Sequence, residues 1–314
     1  MSEHQFTVEE LYERCDFSES SVSDDVIVKK NSLRRLWYNF KKRKIAVIGL
    51  CIVAFYILVA IFVEQLAPFD PYEQNLTKAL LSPSAAAELG TGNLLGTDET
   101  GRDLLSRLMY GARISMWVGL FTAAIGFCIG TPLGVIAGFV GGKTEMIIMR
   151  TMDVLLAFPQ ILLAILLTSL FGTDLRNAII AVGICSIPNF ARTARSETLS
   201  IRNSEYVEAA RSLGSTNGRI IVSHILHNVV SPLIILTTMN FGNALLTTAG
   251  MGFLGVGAQP PTPEWGAMLS NGRQYLLVCP HICTITGLAI LFLVLGLNLL
   301  GDGLRDILDP RLKD

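Results

Sequence analysis

The chain has 314 residues, of which 51% are hydrophobic and only 16% charged, with a formal net charge of −1 and a mean hydropathy of +0.49. That composition excludes an ordinary soluble domain and points to a membrane protein. The 25 Lys and Arg nearly balance the 26 Asp and Glu, so no basic nucleic-acid footprint is present and no nucleic-acid partner is expected.

Residues 1–28 are acidic and polar without periodicity and read as a loose tail. The character flips at Lys29. Lys29, Lys30, Arg34, Arg35, Lys41, Lys42, Arg43 and Lys44 crowd the approach to the first apolar run, interleaved with Trp37, Tyr38 and Phe40. Directly before a span, such a cluster is a positive-inside anchor. The first apolar run begins only at Ile45 and no small-residue cleavage site follows it, so no cleavable signal peptide is expected. Residues 45–63 carry no charge until Glu64 and are long enough to cross a bilayer.

From 64 to 113 the chain is soluble in character. It contains LLGTDETGRDLLSRLMYGARIS, in which Leu104, Leu105, Leu108 and Met109 form a helical apolar face that Arg102 and Asp103 open. This predicts an amphipathic helix tucked under the next span. Residues 114–142 are uncharged, with Pro132 and many glycines, as membrane helices that pack on neighbours tolerate. The run ends in AGFVGGKT, a loose match to a phosphate loop. A phosphate loop needs a buried strand before it, and here a membrane segment precedes it, so Lys143 and Arg150 read as topology charges instead. Further spans follow at 154–173, 177–191, 229–250 and 280–301, with a Pro- and Gly-rich segment at 251–280.

Between the fourth and fifth spans lies the polar island EYVEAARSLGSTNGRIIVSHILHN. Tyr206, Ala209, Ala210 and Leu213 mark one face of a short helix. Ser204 is placed to cap it, Glu205 and Glu208 suit its first turns, Gly214 stops it, and Asn217-Gly218 is expected to turn the chain. A second helix from Arg219 then runs into the apolar segment beyond His227. Physics alone permits a helix lying on the bilayer or a helix offered to a partner.

Cysteines at 15, 51, 128, 185, 279 and 283 are scattered, most of them in apolar runs, and no disulfide framework is expected. Cys279-Pro-His281-Ile-Cys283 is interrupted by Pro280, and no metal site is expected there. With six spans both termini share a side. If that side is the cytoplasm, the inner segments hold 19 of the 25 basic residues, leaving outside Lys78, Arg102, Arg107, Arg113, Arg176 and Arg273. The asymmetry orients the chain with the 205–228 island inside.

Glu208-Ala209-Ala210, three residues, then Gly214 resembles the "EAA" loop of permease subunits in ATP-binding-cassette importers. LGTDETGRDLLSRLMYGAR at 95–113, GFLGVGAQPPTPEWGAML at 252–269 and NLLGDGLRDILDPRLK at 298–313 resemble the C-type permease subunit of dipeptide and oligopeptide importers, in order and in spacing. One departure stands out: the family's Leu-Pro pair after the loop is Leu226-His227 here, so the following helix is expected to start less sharply.

The resemblance implies an all-α membrane protein of the type I importer permease fold, with six transmembrane helices and a cytoplasmic coupling helix. It divides the chain into a cytoplasmic 1–44, a first span with an extracytoplasmic segment at 45–113, a permease core at 114–304 carrying the coupling loop 192–228, and a tail at 305–314. It implies a B-type permease partner, two cytoplasmic ATPases that use ATP and Mg, an extracytoplasmic substrate-binding protein, and no cofactor or catalytic site on this chain. Glu208, Ala209, Ala210, Arg211, Gly214 and Arg219 are the expected ATPase-coupling residues. Asp98, Arg102, Asp103, Glu264 and Trp265 are the expected contacts with the binding protein. A dipeptide substrate is favoured over a metal chelate or glutathione. A secondary transporter is disfavoured because the spans lack Asp and Glu except near their ends, and a membrane-embedded enzyme because no HExxH or intramembrane acidic pair occurs.

Overall fold

The computed structural model describes residues 40, 41 and 43–308. The 1–28 tail, the basic cluster up to Arg35 and the end of the 305–314 tail lie outside the described residues. The chain divides into two compact units, Met1–Lys44 and Ile45–Asp314, and the second holds the helical body.

Among the described residues the fold is helical throughout, with an isolated bridge between Thr97 and Asp103. Helix α1 (Lys44–Ile61) is apolar on all sides and is followed by α2 (Val63–Leu66) and α3 (Pro83–Glu88). Helix α4 (Leu104–Ile125) runs through a π-turn at Gly126–Gly130 into α5 (Thr131–Val140). These make one continuous helix of 37 residues. The amphipathic helix expected before Ile114 is therefore the first part of the span itself. Nothing between Met109 and Ile114 interrupts the backbone ladder, and Asp103 caps the whole rod.

Helices α6 (Gly142–Leu156) and α7 (Gln160–Phe171) form a pair bent by 92°. Pro159 stands at the N-cap of α7, where it cannot continue the preceding helix. Helix α8 (Leu175–Ile201) follows, then the short helices α9 (Glu205–Ser212) and α10 (Asn217–Ile220). Through a π-turn at Ile221–Ile225 the chain enters α11 (Leu226–Phe253). Helix α12 (Trp265–Gly272) and the long α13 (Pro280–Leu308) complete the order. Among the described residues four continuous helices are long and apolar enough to cross a membrane, and there are five if the bent pair counts as one broken span.

Helix α8 is not among them: its 27 residues dilute the apolar run with Asn177, Pro188, Asn189 and Arg192. It is nonetheless the centre of the packing, with α4, α5, α7 and α11 all against it. Gly126, Gly130, Gly134 and Gly138, spaced every four residues along α4 and α5, let α8 approach closely. A Cβ on Gly130 would lie 2.6 Å from the Ile187 carbonyl oxygen, and one on Gly138 would lie 2.9 Å from that of Arg195. Small residues at such an interface let backbones pack where lipid offers no hydrophobic drive. Helix α1 uses the same device against α13, where a Cβ on Gly49 would lie 2.6 Å from the Leu300 amide nitrogen.

Candidate functional site

Helix α9 is a rigid, projecting element, and its sequence explains why. Gly214 adopts φ +84°, a conformation that carries little penalty only for glycine. The Gly214 amide donates to the Arg211 carbonyl at 3.0 Å and the Ser215 amide to that of Ala210 at 3.0 Å. This is a Schellman ending. At the other end Ser204 occupies the N-cap, but its hydroxyl donates to the Ile201 carbonyl at 2.7 Å instead of accepting from the helix. Ser204 thus closes α8 and does not cap α9.

The next turn spans Gly214 to Thr216. Asn217 and Gly218 are not the turn; they form the first residues of α10, with Thr216 at its N-cap. His227 lies inside a continuous helix, so the missing proline leaves no break in the rod. A π-turn at Ile221–Ile225 stands just before it.

One residue anchors α9. Val207, fully buried, packs with Ile220, Ile225, Val229 and Leu233, and with Phe190 of α8. Sequence pattern alone overlooks it, because the 206/209/210/213 face looks like the inner one. That face is mostly exposed: Leu213 is 87% exposed and Tyr206 47%, although the Tyr206 hydroxyl accepts from Asn228 Nδ2 at 3.3 Å and its ring meets His224 at 6.1 Å. Glu208, Ala209, Arg211, Gly214 and Arg219 are exposed beside them, and Ala210 is half-buried. No atom lies within 4 Å of where a Cβ on Gly214 or Gly218 would stand. All six expected coupling residues thus lie on one loop between α8 and α11. The loop is tied to the core by Arg202, which donates to the Gly138 carbonyl at 2.8 Å. Two ion pairs brace the same end of α8, Arg192–Asp153 at 2.7 Å and Arg195–Glu145.

The second expected set behaves differently. Asp98, Arg102, Asp103, Glu264 and Trp265 are each no more than 3% exposed, so in this conformation their side chains do not form a surface. Asp98 accepts from the Thr100 and Arg102 amides at 2.9 Å each and from Arg102 Nε at 2.6 Å. Arg107 Nε stands 3.3 Å from the same carboxylate. Arg107 also donates to the Pro71 carbonyl at 2.9 Å and the Pro261 carbonyl at 3.2 Å. Glu99 joins Arg102 at 3.0 Å to Asn271 at 3.2 Å. One buried ionic knot therefore holds the 64–103 segment, α4 and the 254–279 connection together. Arg107, read from sequence only as a topology charge, is its hub.

Asp103 caps α4 through the Ser106 amide at 2.7 Å and accepts from Asn93 at 3.0 Å. Glu264 caps α12 through the Ala267 amide at 2.8 Å. Burial pushes the Glu264 carboxyl above the ordinary glutamate range, opposed in part by the Gly266 and Ala267 amides. Trp265 donates to the Leu108 carbonyl at 3.0 Å and meets Tyr56 of α1 edge-on at 5.9 Å.

AGFVGGKT ends α5 and opens α6, with helix in place of the strand a phosphate loop requires. Cys279 and Cys283 each point at a backbone carbonyl, of Leu80 at 3.2 Å and of Leu269 at 3.9 Å. Among the described residues no group of three or more His, Cys, Asp or Glu gathers to hold a metal ion.

Comparison with known proteins places this architecture. Residues 130–314 match the binding-protein-dependent transport system inner membrane component family, and residues 32–83 match the N-terminal TM domain of oligopeptide transport permease C. The dipeptide transport system permease protein DppC of Alkalihalophilus pseudofirmus is 45% identical over 89% of this chain and 90% of its own length. DppC of Haemophilus influenzae is 43% identical over 90% of this chain and 96% of its own. The glutathione transport system permease protein GsiD of Pectobacterium atrosepticum is 42% identical over 89% and 91%. Among solved structures, the inward-facing MetNI methionine ABC transporter superposes with a TM-score of 0.55 at 20% identity, covering 65% of this chain and 97% of that one. That likeness carries the fold. The chain belongs to the binding-protein-dependent transport system inner membrane components, with the N-terminal membrane domain of the oligopeptide permease C type.

Proposed function

We propose that this chain is the C-type transmembrane permease of an ATP-driven dipeptide importer. It shares a pathway with a B-type permease, and cytoplasmic ATPases drive it with ATP and Mg bound on their own chains. The observation that carries this reading is α9: a capped helix, anchored by Val207, whose apolar and glycine-lined face is turned away from its own protein. Small residues there admit another backbone closely, and Glu208, Arg211 and Arg219 frame them with charge. ATP-driven closure of the ATPase pair displaces α9, and the helices packed on α8 shift as rigid bodies between two packings.

In this reading α8 is the sixth span. Its 27 residues measure about 40 Å at 1.5 Å per residue, enough to cross, and its charges fall toward the ends, Arg176 in the first turn and Arg192 and Arg195 paired with Asp153 and Glu145 in the second half. Six crossings and the Lys/Arg asymmetry put both termini and the α9 loop in the cytoplasm, in the inner membrane. An extracytoplasmic binding protein delivers substrate to the 95–113 and 252–273 segments. The five buried residues set the shape of that surface from within, and Gln74, Thr100, Pro260 and Gln274 line its open cleft.

The test is co-purification of the full chain with its genetic neighbours, for wild type and Gly214→Arg, followed by ATPase and uptake assays. Wild type is expected to bring down an ATPase. Gly214→Arg is expected to lose it or to uncouple it from uptake, because arginine is strained at φ +84° and fills the docking face. Uptake that persists without ATP, and with no ATPase bound, overturns the importer reading in favour of a secondary transporter. Competition of dipeptide uptake by glutathione separates the two substrates named for the relatives: dipeptide uptake with no competition is the expected result.

A further inference from the structure

Glu264 is buried without a counter-charge, and apart from the α12 amides that it caps its surroundings favour a neutral acid. It lines an enclosed cavity of about 10 Å³ between α4, α11, α12 and α13, room for about one water. The groups facing it can be named helix by helix. From α4 come Ser115 and Val118, from α11 Leu245, Thr248 and Ala249, and from α13 Ile290. None of them titrates or carries charge. A Cβ on Gly252 would lie 2.9 Å from Glu264 Oε2, so α11 presents bare backbone there. Among the described residues no Lys or Arg pairs with Glu264. Arg107, which bonds the nearby Pro261 carbonyl, is committed to Asp98. Thr248 Oγ1, in the same cavity, is buried and has no hydrogen-bond partner. A buried hydroxyl without a partner is uncommon and asks for one.

We infer that Glu264 is held as a protonated carboxylic acid, bridged to Thr248 through one water bound in this cavity, so that the seat of α12 on α11 is linked to proton binding. The water accepts from the carboxyl O–H and donates to Thr248 Oγ1, while Oε2 goes on accepting the Ala267 amide. The Thr248 hydroxyl, otherwise without a partner, then accepts a hydrogen bond. Ionisation places an unpaired charge among apolar side chains and weakens the seat.

The sign comes from linkage. The folded chain holds a proton that the unfolded chain releases in the ordinary glutamate range. Stability is therefore full below that range and falls as pH rises toward the raised value. The experiment measures thermal unfolding of the full-length chain in nanodiscs from about pH 4 to about pH 8, for wild type, Glu264→Gln, Glu264→Ala and Thr248→Val. Difference infrared spectra of wild type against Glu264→Gln accompany it.

The neutral isostere is expected to match or exceed wild type at the alkaline end and to lose the Glu264 share of the pH slope. Glu264→Ala, which removes the cap, is expected to be less stable at every pH. Thr248→Val, which removes the water's second partner, is expected to shift the slope to lower pH. The infrared difference is expected to contain a protonated-carboxyl C=O band at neutral pH. Absence of that band, or a Glu264→Gln protein that fails to fold or is less stable than wild type across the range, overturns the proposal. Either result means that the ionised carboxylate is what the seat requires.

Discussion

Asp98→Ala is expected to abolish most of the folded protein, with a loss of roughly 3–5 kcal/mol. The carboxylate is 3% exposed and stands between Arg102 and Arg107, themselves 3% and 2% exposed. Removing it leaves two guanidinium groups in a closed space with no anion between them except Glu99, which reaches Arg102 alone. The same substitution strands the Thr100 and Arg102 amides that organise the loop into α4. Asp98→Asn keeps an acceptor oxygen and the side-chain volume, so it is expected to fall between wild type and alanine. Yield of monodisperse chain in detergent, and its melting temperature, read the effect. A wild-type melting temperature for Asp98→Ala would mean that the arginines find solvent, and the knot would not be structural.

Gly134→Leu is expected to be the other severe variant. Its Cβ would lie 2.7 Å from Ala194 Cβ and 2.9 Å from the Ala191 carbonyl carbon. Neither neighbour is the movable tip of a side chain, so helix α8 itself has to retreat. Overpacking of this kind costs about 1–3 kcal/mol and sometimes more. Here the displaced helix is the one on which α4, α5, α6, α7 and α11 all pack, which favours the upper end. Gly287→Leu is the matched control: no atom stands within 4 Å of its Cβ position, and the variant is expected to fold normally. Equal melting temperatures for the two variants would remove the close-packing account of the glycine repeat.

What the sequence made legible came from local pattern. Uncharged runs at 45–63 and 280–301 read directly as helices, because length and hydropathy are properties of one segment. Gly214 read correctly as a stop, since only a few residues suit a left-handed backbone position. The errors came where the deciding contact is distant. Ser204 has the right identity for a cap, yet its hydroxyl is taken by Ile201 behind it. Asn217-Gly218 has turn chemistry, yet Ile220 beside it is drawn into the core with Phe190, and helix wins. Tyr206 and Leu213 look like an inner face until Val207 is seen to fill that place.

The charged residues at 98–103 looked like surface because what covers them is distant: Arg107 reaches the Pro261 carbonyl across 154 positions and Glu99 meets Asn271 across 172. Glu264 and Trp265 were legible as important but not as buried. Their burial depends on bare backbone at Gly111 and Gly252, supplied by two other helices.

The unbroken helix from Asn217 to Phe253 has 37 residues and therefore measures about 55 Å. It begins beside Val207 and ends at Gly252, against the Glu264 carboxyl. A stiff beam of that length, tilted by about 10° around its middle, swings each end by roughly 5 Å in opposite senses. The π-turn at Ile221–Ile225 puts an irregular hydrogen-bond ladder near one tip. A second irregularity follows at Pro232, inside the same helix, where a ladder hydrogen bond is missing. Between its tips the shaft packs along both α8 and α13, so the two ends of the protein are joined through one helix that two others hold.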